Sequence, residues 1–201
     1  MAESPVQWII SISNLILFLS SLYSARQLVK DHRAPALGFF LLASCAAVGV
    51  LPASSPALEA FRWEAAWASW VLSPALVTFG FLWLSEDRST AYTLLGGATL
   101  LTALCDWLSE EGVAVMSRCV ALSSLACSLT VCLFTTNHAG ALGSLALSLP
   151  ALLTPGVRGQ ALIPLITVEA SEVILNSLMS LGSFATERAL CKYLQELKGQ
   201  S

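Results

Sequence analysis

Apolar residues along this chain arrive in long blocks, each about as long as one bilayer crossing, divided by short clusters of charged residues, prolines and glycines. A helix needs ~20 apolar residues to cross the hydrocarbon core, where only helices or closed barrels satisfy their own backbone. Blocks of this length, with no strict apolar–polar alternation, predict helices rather than strands. Seven are read, at about 5–23, 36–51, 65–84, 91–108, 113–135, 139–153 and 161–184. The expected fold is all-α: a multi-pass transmembrane helical bundle over residues 1–184, with a short amphipathic helix in the tail, residues 185–201.

The punctuation between blocks places their ends. Arg26, Lys30, Asp31, His32 and Arg33 stop the first block, and Pro52 with Pro56 stop the second. A loop with Glu59, Arg62 and Glu64 follows, and Trp63, Trp67 and Trp70 mark where the third span enters, because indoles favour the membrane interface. Pro74 predicts a kink near Ser73. The fourth block contains Gly96 and Gly97 and runs into Asp106, Trp107, Glu110 and Glu111; Arg118 moves the membrane part of the fifth towards Cys119. In the sixth, Gly140, Ser144 and Ser148 recur every four residues, a spacing that permits close helix contact. Pro150, Pro155, Gly156 and Gly159 are expected to end it. The first block is read as a span and not a secretory signal, since Glu3 but no basic residue precedes it and no small-residue cleavage site follows.

Composition agrees with this pattern. Of 201 residues, 56% are hydrophobic and 11% charged, against roughly 25% charged in a soluble domain. The net charge of −3 is scattered, which excludes the basic surface that nucleic acid requires. Six cysteines lie mostly inside apolar blocks with no CxxC pair, so they read as small helix residues and not as a zinc site or disulfide framework. No metal or cofactor is expected: His138 sits in a turn without the further ligands a metal needs.

Charge also decides sidedness, because basic residues favour cytoplasmic loops. Seven spans with the amino terminus outside put Arg26, Lys30, Arg33, Arg88, Arg188, Lys192 and Lys198 in the cytosol and only Arg62, Arg118 and Arg158 opposite. Six spans would flatten this bias. The expectation is an outside or lumenal amino terminus and a cytosolic tail. In that tail Leu190, Leu194 and Leu197 recur at helical spacing while Glu187, Arg188, Lys192, Glu196 and Lys198 lie largely elsewhere. Such a segment lies along the interface or extends the last span. Cys191 within it is a candidate acylation site, the alternative being an unmodified thiol on the apolar side.

The seventh block carries the candidate chemistry. Glu169, Glu172 and Asn176 are three and four residues apart, so they share one stripe of a helix, with Ser180 continuing it. An acid at the centre of a span costs about 2.5–3.5 kcal/mol, while each large apolar residue returns about 0.3–0.6. Insertion therefore depends on other helices accepting the polar face. Such groups point into the bundle or a watery cavity and often mark a site; the alternative is a purely assembling contact. The stripe is expected to face inwards, towards the small-residue sixth helix. Asp106 is a weaker candidate, being the deepest member of an otherwise solvated acidic loop.

Named seven-helix classes fail on residues. A retinal protein needs a lysine within the last span, yet the late lysines are Lys192 and Lys198. No Asp-Arg-Tyr or Asn-Pro-x-x-Tyr sequence supports a G-protein-coupled receptor, and no Pro-Gln pair supports the small carriers of that loop class. The pairing of Pro74 with Pro164 is the sole hint of a repeat. No nucleophile elbow, HExxH or phosphate-binding loop is present. Three functions remain, in order: an accessory or scaffold membrane protein, a small-solute or proton-linked transporter using the acidic stripe, and a membrane-embedded lipid enzyme. The expected partners are the lipid bilayer and other membrane proteins.

Overall fold

A computed structural model of the chain describes residues 5–51, 55–153 and 168–199. Among these residues there are seven α-helices and no strand: α1 (Pro5–Leu28), α2 (Arg33–Val50), α3 (Pro56–Leu84), α4 (Arg88–Leu104), α5 (Glu110–Phe134), α6 (His138–Leu153) and α7 (Val168–Gly199). A single 3-10 turn, Cys105–Trp107, follows α4.

Local sequence explains the starts and turns. Ser55 caps α3 by accepting from the Leu58 N–H, with Pro56 in the first turn where its missing donor costs nothing. Ser109 does the same for α5 at Gly112. The connections α3–α4 and α5–α6 are built alike. Glu86 (φ 64°) and Thr136 (φ 50°) take the left-handed conformation. The amides of Asp87 and Asn137 then reach back to the carbonyls of Leu82 and Cys132, closing each helix with a Schellman turn. The side chains of the same two residues cap the next helix, Asp87 at Thr90 and Asn137 at Gly140. Each hairpin thus ends one helix and starts its antiparallel neighbour within three residues.

α3 is the central helix. It packs on α2, α4, α5, α6 and α7 and buries a run from Ser73 to Thr78 with Gly80, Phe81 and Leu82. Close approach is achieved through small residues. A Cβ on Gly38 would sit 3.2 Å from the Ser73 carbonyl, where α2 crosses α3. On α6, Gly143 faces Gly182 of α7 so closely that an added Cβ would meet the Gly182 carbonyl and the Thr186 amide at 2.9 Å. The first and last helices also pack together. The residues joined across them are Ser13 and Asn14 with Asn176, Ser20 with Ser180, and Ser21 with Ser183. Both sequences advance in the same direction, so α1 and α7 are parallel. Outward faces are apolar: Ile9, Ile12, Ile16 and Leu19 on α1, Leu133 and Phe134 on α5, and Leu142 on α6 are exposed.

Four helices, α1, α2, α3 and α5, are long and apolar enough to cross a membrane. Some boundaries differ from those read in sequence. α3 begins at Pro56, not near residue 65, because the cap at Ser55 starts a helix that Glu59, Arg62 and Glu64 do not break. α3 also continues through Pro74, and α6 passes Pro150 and ends at Leu153. α7 runs on without a break from the acidic stripe into the tail, so the tail extends the last helix. Glu187, placed on the tail's polar face by spacing, is buried with Thr186, Ala189 and Leu190. Residues 161–167, with Pro164, and also Pro155, Gly156 and Gly159, lie outside the described residues.

Candidate functional site

Glu172, Asn176 and Ser180 do share one face of α7, and their recorded hydrogen-bond partners are on α1. The Asn14 amide donates to Glu172 Oε1 at 3.4 Å and to its own helix at the Ile10 carbonyl at 3.2 Å. Asn176 donates to Ser13 Oγ at 3.2 Å and to Asn14 Oδ1 at 3.1 Å. Below them Ser20 donates to Ser180 at 3.0 Å, and the hydroxyls of Ser21 and Ser183 lie 3.5 Å apart. Asn14, Asn176, Ser21 and Ser183 are buried, and Glu172 is half-buried.

This seam extends to a third helix and a fourth. A Cβ on Gly49 would touch the Asn14 carboxamide at 2.9 Å, so the α2 backbone lies directly against it. Arg62 of α3 donates to the Gly49 carbonyl at 3.0 Å and to the Leu51 carbonyl at 3.3 Å. A cation there complements the negative end of α2 and satisfies carbonyls that have no intrahelical donor. Four helices therefore meet at one end of the bundle: an acid, two carboxamides and a serine bond to one another across α1 and α7, and Arg62 of α3 bonds the end of α2 that packs against them.

Energetics favour a structural role for most of these groups. Interhelical hydrogen bonds in membrane proteins contribute ~0.6 kcal/mol on average and up to ~1.7, so the five across α1 and α7 are together worth about 3 kcal/mol on that scale. Leaving one partner orphaned in a low dielectric costs more than the bond itself provides. The Asn14 amide is occupied by Ile10 and Glu172, and its oxygen by Asn176. Glu172 accepts one bond among those described, from Asn14, while a carboxylate has about four lone-pair sites.

The other sequence candidates lie apart from the seam. Glu169 belongs to α7, but its side chain is outside the described residues. Asp106 is exposed in the 3-10 turn, with the Cys105 thiol 3.8 Å from its Oδ1. His138 is exposed at the start of α6, and among the described residues no three His, Cys, Asp or Glu side chains form a metal-binding group. Cys191 is half-buried and donates to Glu187 Oε1 at 3.6 Å. Burial first, then the Glu187 carboxylate, raises its pKa to about 11, so little thiolate exists at neutral pH. The α6 serines were expected to receive the acidic stripe. Instead α6 meets α7 through Gly143, Ala146 and Gly140, the last 3.2 Å from Ala189 if given a Cβ. Ser13, Asn14, Ser20, Ser21 and Ser24, polar at helical intervals within an apolar segment, were the unread signal in α1.

The chain is 33% identical over 155 residues to mouse Transmembrane protein 276, covering 77% of this chain and 80% of that protein. Against the human protein of that name identity is 30% over 191 residues, 94% of this chain and 96% of the relative. The chain belongs to the Transmembrane protein 276 family. Bovine Transmembrane protein 276 is 32% identical over 184 residues, 92% of each chain. No family model and no solved structure matches. Membership in the Transmembrane protein 276 family, together with the apolar helices, makes this a multi-pass integral membrane protein, as its composition indicated. The shared name specifies no activity.

Proposed function

We propose that the protein is an accessory or scaffold component of its membrane, a seven-span bundle that presents surfaces to other membrane proteins and to lipid. The observation that carries this reading is how the intramembrane polar groups are used. Glu172, Asn14, Asn176 and Ser13 bond to one another and tie the first helix to the last. Two grooves, about 390 Å³ between α3, α4, α5 and α7 and about 120 Å³ beside α3, α5 and α6, are lined by none of these residues. A transport pathway would be expected to wet its acids, and an enzyme to gather a nucleophile, a base and an oxyanion donor around a cavity.

The parallel register of α1 and α7 supports opposite faces for the two ends, whatever lies between. Together with the basic bias it supports an amino terminus outside and a tail in the cytosol. α4 and α6 have 17 and 16 residues, about 24–26 Å of helix at 1.5 Å per residue. They cross only where the bilayer thins or loops complete the span.

The test is affinity isolation of the full chain from native membrane, with proteins and lipids identified, alongside Glu172→Gln and Glu172→Leu. A scaffold keeps its partners in Glu172→Gln, where Oε1 still accepts from Asn14, and loses partners or abundance in Glu172→Leu. One observation favours proton-linked transport as the second reading: Glu172 is partly exposed and accepts one bond among those described. Lost flux at normal abundance and unchanged partners in Glu172→Gln would establish that reading and overturn the scaffold.

A further inference from the structure

Three tryptophans of α3, Trp63, Trp67 and Trp70, fall at positions i, i+4 and i+7 and line one small groove together with Glu64 and Ser117 of α5. Interfacial anchoring alone would leave such rings free to turn in the headgroup layer. These are held. Trp63 and Trp70 stand at right angles, with centroids 6.0 Å apart and planes at 86°. The Trp67 indole N–H donates to Ser117 Oγ at 3.1 Å, and that hydroxyl donates in turn to the Val113 carbonyl at 2.7 Å. The polar edge of Trp67 is thereby tied to α5, which leaves the ring a fixed wall of the groove.

The groove is about 120 Å³, small beside the ~300–1,000 Å³ of sites that hold a whole drug-sized ligand. It suits one compact group. Among the described residues its one charged lining residue is the exposed acid Glu64, and none is basic. Aromatic faces carry negative potential and attract weakly hydrated cations, quaternary ammonium above all. The protein's own cations stack elsewhere: among the described residues Arg88 lies over Trp83 and Arg188 over Phe184.

Position names the source. α3 leaves the bilayer near Trp83 and Leu84, and ~30 Å of hydrocarbon is about 20 residues of helix. Glu64 then lies at the opposite interface, with Trp67 and Trp70 just beneath it. A soluble cation would meet the carboxylate but has no tail to follow the groove into the apolar layer. A choline phospholipid carries its trimethylammonium group in the headgroup layer beside Trp63 and Glu64, on a tail that can follow the groove past Trp67 and Trp70.

We infer that Trp63, Trp67, Trp70 and Glu64 form an aromatic cage for the quaternary ammonium headgroup of a choline phospholipid. The full chain, labelled with 5-fluorotryptophan, is reconstituted in nanodiscs of phosphatidylglycerol and followed by fluorine NMR, with resonances assigned by single Trp→Phe variants. Three additions are compared: phosphatidylcholine in the bilayer, soluble tetramethylammonium chloride, and 3,3-dimethylbutanol, the uncharged isostere of choline. Phosphatidylcholine moves the resonances of Trp63, Trp67 and Trp70 and leaves those of Trp8 and Trp107, which report that the fold is intact. Tetramethylammonium moves the same three more weakly. Glu64→Gln weakens the response roughly two- to five-fold, the worth of one exposed ion pair, and Trp63→Leu roughly three- to thirty-fold, the worth of one ring face. Movement by the neutral isostere at the same concentration, no movement by phosphatidylcholine, or an unchanged response in Glu64→Gln with Trp8 and Trp107 unshifted overturns the assignment.

Discussion

Replacing Gly143 with alanine should loosen the contact between α6 and α7. The new Cβ would lie 2.9 Å from the Gly182 carbonyl oxygen and from the Thr186 amide nitrogen, and closer still to Thr186 Oγ1. The hydroxyl can rotate; the two backbone atoms cannot yield without moving the helix. Ordinary Cβ contacts begin at 3.4 Å, so the helices must part by about 0.5 Å here. A gap of that size forfeits roughly a quarter of each dispersion contact along the seam, and overpacking of this kind costs about 1–3 kcal/mol. Alanine returns about 0.8–1.0 kcal/mol through better helix propensity, which leaves a net loss of about 1 kcal/mol. Gly97→Ala is the control, because nothing lies within 4 Å of its added Cβ and only the propensity gain remains. The difference between the two variants isolates the steric cost. At roughly 2–4 °C per kcal/mol for a chain of this size, Gly143→Ala should melt about 2–12 °C below Gly97→Ala. Heating in detergent, followed by the monodisperse fraction on size exclusion, measures this. Equal melting of the two variants would refute the close backbone approach.

Three further outcomes follow from other parts of the molecule. Asn176→Leu removes both bonds to α1 and takes the donor from buried Asn14 Oδ1, while Ser13 Oγ keeps its bond to the Ile10 carbonyl, so it should cost about 1–3 kcal/mol; the same thermal assay checks it, and a melting point equal to the parent's would show the seam to be inert. Tags at the two ends should be cut by protease from opposite sides of sealed vesicles, the tail from the cytosolic side, whereas digestion from one side removes the seven-span arrangement. The Cys191 thiol, with its pKa raised to about 11 by burial and by Glu187, should react with maleimide about tenfold faster per pH unit up to that value, because only the thiolate attacks. Glu187→Gln lowers that pKa, since it removes a negative neighbour of the thiolate, yet leaves it above the ordinary thiol value because burial remains.

Much of the helix layout was legible because a bilayer imposes a length on each crossing, and the apolar blocks carry that length openly. The turns at Asp87 and Asn137 were visible as breaks, although their shared geometry depends on left-handed Glu86 and Thr136, types that give no glycine signal. The first nine residues of α3 were misread because charge argues against a span but not against a helix once Ser55 caps it. Glu172 and Asn176 were found because three- and four-residue spacing defines a stripe. Their partner was missed because spacing within one helix says nothing about which neighbour it meets, and Ser13 and Asn14 lie 162–163 residues away. Burial of Glu187 escaped for the same reason.

That separation has a consequence during synthesis. Residue 168 leaves the ribosome well after residue 28, and at ~5–20 residues per second the interval is roughly 7–30 s. Throughout it α1 sits in the membrane with Ser13, Asn14, Ser20 and Ser21 facing the place where α7 will lie. Asn14 bridges the wait by donating to its own Ile10 carbonyl, but its oxygen has no donor until Asn176 arrives. The half-made protein therefore displays a polar face to the bilayer that the finished one hides. A chain stalled or truncated before α7 carries that face permanently, a mark by which membrane quality control can distinguish an abandoned product from a completed one.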